Sequence, residues 1–336
     1  MKKILSLLLV FVVATSLFTG CKKETPKEAL EKGFENSLNV KTAKSNFDMA
    51  VNFEFDESEA PDEAFMLQMV NGSKITGEFT SDVEKMSATG ELVLDMNGMS
   101  YKSDFFSTPE KIAFKMPMIN KYIIMDQSAL NDEPDKQKEE MKKLNTEFMD
   151  IILNNIKDES IKVLEKEKVT TPGGEVDVTG YEITFNNDEA IKIMEELFSF
   201  IFKNETFKNS MITNIKNQAK LEGKEELSDE EVEAKLQEAQ EGMDEAIKQM
   251  KEKLTIDTLV VTYGLDKDYN IISSKANVAV TVKNDEGSEK AISFSFDINS
   301  KAWDINQPVT IEMPEFNEEN SIKFEELANE FPLGMQ

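Results

Sequence analysis

The sequence predicts an α+β protein built on a large curled antiparallel sheet, a half-barrel of about 10–11 strands covered by helices on its concave face. Apolar and polar residues alternate over two long blocks of the chain, for example at Phe47–Phe55 and Val278–Val282, as in strands with one buried face. Segments with helical spacing near 134–157, 187–218 and 228–253 interrupt these blocks. Because such a sheet twists and must bury one face, the helices are its expected cover.

The N-terminal block is predicted to contain one helix and a strand meander. Thr25 is a suitable N-cap, Pro26 suits the first helical position and Glu28 completes a capping box, so a helix should run to about Leu38. Asn97-Gly98 is a typical two-residue hairpin turn. The predicted strands lie at about 47–55, 73–80, 84–96, 99–107, 110–117 and 121–125.

The same spacing and capping patterns predict that the middle of the chain is mainly helical. A phase change in the alternation predicts a bulge at Gly180. Ser228 and Glu231 form a second capping box. The predicted elements are a helix near 134–157, strands at about 160–170 and 175–185, and helices near 187–218 and 228–253.

The C-terminal block returns to strands and completes one domain. It is predicted to end in a short helix over about 315–330. A chain of this length can bury one core, so we expect residues 26–336 to form a single half-barrel-like domain with helical insertions. The predicted strands lie at about 254–264, 270–283, 289–299 and 308–313.

The N-terminus has the organisation of a signal peptide. Two lysines precede an apolar run over residues 4–18, which is short for a membrane span. Cys21, the only cysteine, follows directly after a glycine. We expect residues 1–20 to be cleaved as a signal peptide. The alternative is a conventional secretory signal in which the cysteine falls by chance.

The segment Leu17-Phe18-Thr19-Gly20-Cys21 resembles the lipobox of bacterial lipoproteins, with Phe18 where that family usually has leucine. The resemblance implies that Cys21 is lipidated and that residues 21–25 are the lipidated cysteine and a short tether. Acyl chains such as palmitate would then hold the protein on the extracytoplasmic face of the cell membrane. The absence of arginine, beside abundant lysine, asparagine, isoleucine and glutamate, indicates an AT-rich genome and a Gram-positive-type surface.

The composition excludes several classes of function. The chain has no histidine, one cysteine, 38 cationic residues and 65 acidic residues, for a formal net charge of −27. It cannot form a Ser-His-Asp or Cys-His catalytic group, a zinc site with histidine or several cysteine ligands, or an internal disulfide. So acidic a chain is unsuited to nucleic acid. No carboxylate pair stands out, so we expect neither enzymatic activity nor a cofactor.

A calcium loop is also excluded. Asp266, Asp268 and Asn270 have the opening spacing of such a loop, but Ile271 and Asn277 occupy the positions that require glycine and glutamate. The segment is better interpreted as a hairpin turn, and no metal site is expected.

The order of elements and the hairpin segment Val261–Ile272 resemble the LolA/LppX-type lipoprotein carriers of bacterial envelopes. Members of that group hold acyl chains between a half-barrel and its helices and carry lipoproteins or glycolipids across the envelope. The resemblance implies a lipid or acyl-chain ligand. It carries over no individual ligand residue.

Two functions remain open on these observations. In the first, the protein binds a lipid or other apolar ligand, as a carrier or sensor. In the second, it is a non-catalytic structural or interaction lipoprotein with a filled core, acting through an envelope protein partner in envelope or spore processes. The cavity-lining candidates for the first function are apolar residues of the helix near 187–218 and of a neighbouring strand: Phe198, Phe200, Ile201, Phe202, Phe114 and Met116. The alternative for each of these residues is ordinary core packing.

Overall fold

The structure, a computed structural model, is dominated by one open sheet with helices packed on one face, and the α+β class is confirmed. The sheet has 12 strands. The structure describes residues 24–54, 68–115, 121–126, 134–205, 207–209, 211–212, 215–216, 227–283, 292–324 and 326.

Capping interactions set the starts of three of the helices. Thr25 and Glu28 form the predicted capping box of α1, and Ser228 and Glu231 form that of α4. A third capping box, at α3, uses Asn186. The four longest α-helices among the described residues are α1 (Pro26–Leu38), α2 (Pro134–Asn155), α3 (Asn187–Lys203) and α4 (Asp229–Lys253), and a 3₁₀ turn lies at Asp158–Ser160.

The twelve strands follow in chain order. They are β1 (Thr42–Glu54), β2 (Ser73–Asp82), β3 (Ser87–Met96), β4 (Met99–Ser107), β5 (Lys111–Lys115), β6 (Tyr122–Asp126), β7 (Ile161–Thr171), β8 (Gly174–Thr184), β9 (Leu254–Leu265), β10 (Ile271–Val282), β11 (Ile292–Trp303) and β12 (Ser321–Lys323). Their order in the sheet is β12-β6-β5-β4-β3-β2-β1-β11-β10-β9-β8-β7. The pairing of β1 with β11 therefore joins the N-terminal and C-terminal strand blocks.

Alternation along the strands gives the sheet one apolar face. Paired residues of an antiparallel sheet lie on the same face, and the register places Val51 beside Phe296 and Ile75 beside Leu94. We call this surface the apolar face. Its members across the middle strands include Met49, Val51, Ile75, Leu92, Leu94, Val278, Val280, Phe294, Phe296 and Ile298.

The main core lies where helices pack on the β7–β10 part of the apolar face. Leu30 of α1 is 1% exposed and packs in one cluster with Ile191 of α3, Ile183 of β8 and Ile256 of β9. The ring of Phe34 meets the ring of Tyr263 edge-on, with centroids 5.0 Å apart. The helices are thus fixed to one end of the sheet. In the described part of the chain, no helix is long and apolar enough to cross a membrane.

Several details differ from the sequence predictions. The helix expected over about 315–330 is wrong for residues 315–323, which form irregular backbone, a turn and strand β12. The sheet has one strand more than the upper figure, and β12 pairs with β6 in parallel, so the sheet is mixed. The strand predicted at 308–313 is wrong: these residues are irregular. Pro308 and Pro314 bracket the segment and lack the N–H group that a ladder requires.

The predicted bulge lies on the partner strand. Val163 pairs with Tyr181 and Lys166 with Thr179, so Gly180 faces two residues of β7. A Cβ atom on Gly180 would lie 3.0 Å from Cδ1 of Leu164. The glycine therefore accommodates the extra residue of β7.

Candidate functional site

The main candidate site is a groove between α2 and the apolar face of the sheet. Its volume is about 950 Å³. The C-terminal end of α1 closes it on one side. It lies at one end of the strands, where β1, β3 and β10 begin and β2, β4 and β11 end. We call it the α2 groove. Its lining residues fall in the segments 36–45, 81–88, 138–149, 270–274 and 300–305, together with Ser107.

The floor of the α2 groove consists of alanine and serine. One row runs across β1–β4, because Ala43 pairs with Ser81, Ser81 with Ala88, and Ala88 with Ser107. On the other side of β1, Ser45 pairs with Ala302. Such short side chains leave open the space that larger residues would fill. The full set of floor residues is Ala43, Ser45, Ser81, Ala88, Ser107, Ser274, Ser300 and Ala302.

A row of aromatic residues borders this floor on the same face. The rings of Phe47 and Phe79 are stacked with centroids 6.1 Å apart, and Phe79 meets Phe105 edge-on at 6.3 Å. Gly77 and Gly90 make room for the rings. A Cβ atom on Gly77 would lie 2.6 Å from a ring carbon of Phe47, and one on Gly90 would clash with Phe79. The apolar surface therefore continues from the groove along the sheet.

Exposed apolar side chains form the walls of the groove. Met141 and Phe148 lie on α2 and are 46% and 39% exposed, and Val83, in the turn between β2 and β3, is 46% exposed. Nine large hydrophobic residues are exposed in the described part of the chain, and these three all line the α2 groove. A cluster of exposed apolar side chains in a concave site is typical of a binding surface.

Charged groups lie at the rim near the turn between β2 and β3. Lys41 Nζ lies 2.9 Å from Glu84 Oε1. The hydrogen bond from Lys41 lowers the pKa of Glu84, and the charges of Lys41 and Lys138 add to this effect. Lys142 Nζ donates a hydrogen bond to Asn39 Oδ1, at 2.8 Å. The rim is therefore rich in ammonium groups in an otherwise acidic protein.

Asp82 stabilises the turn that carries this rim. Its side chain is 7% exposed and accepts hydrogen bonds from the backbone N–H of Lys85 at 3.0 Å and from Lys85 Nζ at 2.7 Å. The side-chain hydrogen bond from Lys85 is the main cause of the lowered pKa of Asp82.

We expect Asp82→Asn to cost about 0.5–1 kcal/mol of unfolding free energy at pH 7, because the ion pair with exposed Lys85 is lost. A lowered folded pKa gives stability that is present above the ordinary value of 3.8 and lost as the pH falls through the folded pKa. The difference between wild type and variant should therefore shrink below pH 3.8. Urea unfolding at pH 7 and at acid pH measures it, with the exposed Asp95→Asn as control. A difference independent of pH would contradict this account.

The cavity residues predicted from sequence do not converge in the structure. Phe200 lines a different, smaller pocket between α2 and α3, and its ring meets the ring of Phe207 edge-on, with centroids 6.1 Å apart. Phe198, Ile201 and Phe202 are half-buried on the same helix. Phe114 lies on β5, paired with Phe105 and Ile123. Helix α3 contacts β9, and six strands separate β5 from β9 in the sheet order. Met116 and Cys21 lie outside the described residues.

The α2 groove was not predicted from the sequence, because the alanine and serine residues of its floor are not strongly apolar. A signal was present. Ala43 and Ser45 precede Phe47 with the same parity, and Ser300 and Ala302 follow Ile298 with the same parity. Small residues that continue the buried parity of a strand indicate a face that is left unfilled.

No metal site is evident in the described ranges, where no group of three or more cysteine and carboxylate side chains could hold an ion. No protein-family model matches the chain, and no curated protein sequence matches it significantly. The functional argument therefore depends on the geometry of the groove.

Proposed function

We propose that this protein is a membrane-anchored, extracytoplasmic lipoprotein that binds a lipid or another apolar ligand in the α2 groove. Its role is that of a carrier or sensor, without enzymatic activity. One observation carries the proposal: Val83, Met141 and Phe148 present exposed apolar surface to a groove of about 950 Å³ with a floor of small side chains. This volume lies at the upper end of the range of about 300–1,000 Å³ for small-molecule sites.

An apolar ligand would remove the exposed wall residues from water. Burying apolar surface contributes about 25 cal/mol per Å², so one acyl chain against these side chains gains binding energy without any specific polar contact. Methionine at positions 141 and 149 suits chains of different shape, because its side chain is flexible and polarisable. We further propose that the apolar face is the concave inner surface of a half-barrel. The ligand and the helices together cover this surface.

The position of the first described residues supports an approach from the membrane. Glu24 accepts a hydrogen bond from the hydroxyl of Tyr269 at 2.8 Å, and the next residues, Asn270 and Ile271, line the α2 groove. Two residues separate Cys21 from Glu24, and the three steps along the chain span at most about 11 Å. A lipid on Cys21 would therefore hold this end of the groove near the bilayer, where a ligand could be collected or delivered to an envelope protein partner.

The direct test is to identify what the protein carries. We would produce residues 21–336 with Cys21→Ser, which retains every described residue, purify it without detergent, and analyse an organic extract by mass spectrometry. A lipid or other apolar molecule recovered in stoichiometric amount is the expected result. A clean extract, together with no binding of a dansyl-labelled undecanoic acid, would contradict the proposal and favour a lipoprotein that acts through protein contacts.

A further inference from the structure

The rim of the α2 groove has a charge opposite to that of the whole protein. The chain carries 38 cationic and 65 acidic residues. Among the described residues, four lysines and two carboxylates, Asp82 and Glu84, line the groove. One of the four, Lys301, directs its side chain to the other face of the sheet and donates to the carbonyl of Thr170, so the other three lysines supply the positive charge. Asp82 is already paired with Lys85, which leaves Glu84 as the one carboxylate facing the rim lysines. An excess of positive charge at one site of so acidic a protein favours an anionic partner.

Two of these lysines are available to such a partner. Lys138 and Lys142 are one helical turn apart on α2, so both project to the same side of the helix. Neither forms an ion pair with a carboxylate in the described part of the chain, and Lys142 instead donates to the amide oxygen of Asn39. Asn145, also on α2, is a further polar residue that lines the groove.

The apolar and charged parts of the groove are adjacent on one helix. Met141 lies between the two lysines in sequence, and Phe148 follows less than two turns after Lys142. On the facing side, Val83 is next to Glu84 in the turn between β2 and β3. This arrangement fits a ligand with an apolar chain and a charged group at one end.

We propose, building on the binding function above, that the ligand of the α2 groove is an anionic amphiphile: an acyl chain that ends in a carboxylate or phosphate. The chain lies over the small-residue floor against Met141 and Phe148, and the anionic group is held by Lys138 and Lys142. Lys41 remains paired with Glu84, so this ion pair adds no net charge to the rim.

Three ligands with the same number of carbon atoms test this inference. Laurate, dodecyl phosphate and dodecanol would each compete with the dansyl-labelled undecanoic acid for the chain of residues 21–336 carrying Cys21→Ser, with the probe Kd measured for every variant. We expect both anions to bind about tenfold more tightly than the neutral alcohol at low salt, and this preference to decrease as the salt concentration rises. The tighter of the two anions identifies the head group.

Substitutions on one helix provide the matched comparison. Lys138→Gln and Lys142→Gln should each weaken the binding of the anions by about three- to fivefold, the contribution of a partly exposed ion pair, and leave dodecanol unaffected. Lys143→Gln removes the same charge from the other side of α2, where Lys143 lies 3.8 Å from Glu147, and should change neither.

The outcomes separate this inference from the function on which it rests. Equal affinities for laurate, dodecyl phosphate and dodecanol would overturn the anionic head group while supporting an apolar site. An equal loss with Lys143→Gln would also overturn it, because only overall charge would then matter. Binding of none of the three ligands would reject the groove as a lipid site altogether.

Discussion

Ala88→Phe is expected to weaken the binding of the dansyl-labelled undecanoic acid strongly. Ala88 lies in the middle of the small-residue floor, between Ser81 and Ser107 in the sheet. Its Cβ atom lies on the face that lines the α2 groove, so a phenyl ring there would occupy the space assigned to the acyl chain. We expect the affinity to fall at least tenfold, which corresponds to about 1.4 kcal/mol.

The next residue along the same strand supplies the control. Thr89 pairs with Thr80 and Phe106 and faces the opposite side of the sheet, because side chains alternate along a strand. It lines a polar trough that contains Asp48 and Glu78. Thr89→Phe adds an aromatic ring to β3 without entering the groove and should leave the affinity unchanged. Probe titrations of both variants, with thermal unfolding to confirm that each is folded, make the comparison.

Two results would count against the groove. If Ala88→Phe binds the probe as tightly as wild type while folding normally, the ligand does not lie on this floor. If Thr89→Phe reduces the affinity to the same extent, the effect comes from a general disturbance of β3. In either case the small residues would be a consequence of packing alone.

Much of the fold could be predicted because its signals are local. The alternation of Phe47, Met49 and Val51 with polar residues indicates a strand with one buried face, and β1 has this form. Thr25 and Ser228 have side chains suited to capping, each with a glutamate three residues later, and both are N-caps. Period and capping depend on neighbouring residues, so a single sequence contains the necessary information.

The parts that could not be predicted depend on distant pairing. β12 has three residues and gains its place by parallel pairing with β6, far back in the chain. This segment is too short to show a periodicity, and residues 321–323 contain no local feature that indicates the partner strand. The strand predicted at 308–313 failed for the opposite reason: its apolar residues alternate, but the flanking prolines prevent a regular ladder.

The candidate site was the least predictable part for the same reason. Its floor brings Ser45 beside Ala302 although they are far apart in the chain. Phe198, Phe200 and Phe202 were predicted to line a cavity because they lie on a densely apolar helix, and such a helix is usually buried. A buried helix does not by itself form a cavity. An open groove is produced by small residues that meet only through the register of the sheet.

Truncation of Leu30 is expected to have the largest effect on stability. Leu30 is 1% exposed and lies in the main core cluster between α1 and the sheet. Removing a buried leucine side chain loses its transfer free energy and leaves a cavity that the surrounding structure fills only in part. We expect Leu30→Ala to lower the free energy of unfolding by about 2–5 kcal/mol in urea denaturation.

The packing of α1 also links this core to the groove. The helix is held at its start by Lys27, whose Nζ donates to the carbonyl of Ile156 at 3.0 Å, and its last residues, Asn36 to Leu38, line the α2 groove. Loss of the Leu30 contact should therefore loosen the groove wall, and we expect weaker probe binding in the folded variant, beyond what the fraction unfolded explains.

Two variants on the same helix make the test specific. Leu30→Met keeps most of the side-chain volume and should cost less than about 1.5 kcal/mol. Glu31 is exposed, and Glu31→Ala should change stability by less than about 0.5 kcal/mol. A loss below 1 kcal/mol for Leu30→Ala, on the scale of about 2–5 kcal/mol expected for a buried leucine, would show that α1 is not part of the core. A large loss with unchanged probe affinity would separate the core from the groove and assign the binding wall to α2 alone.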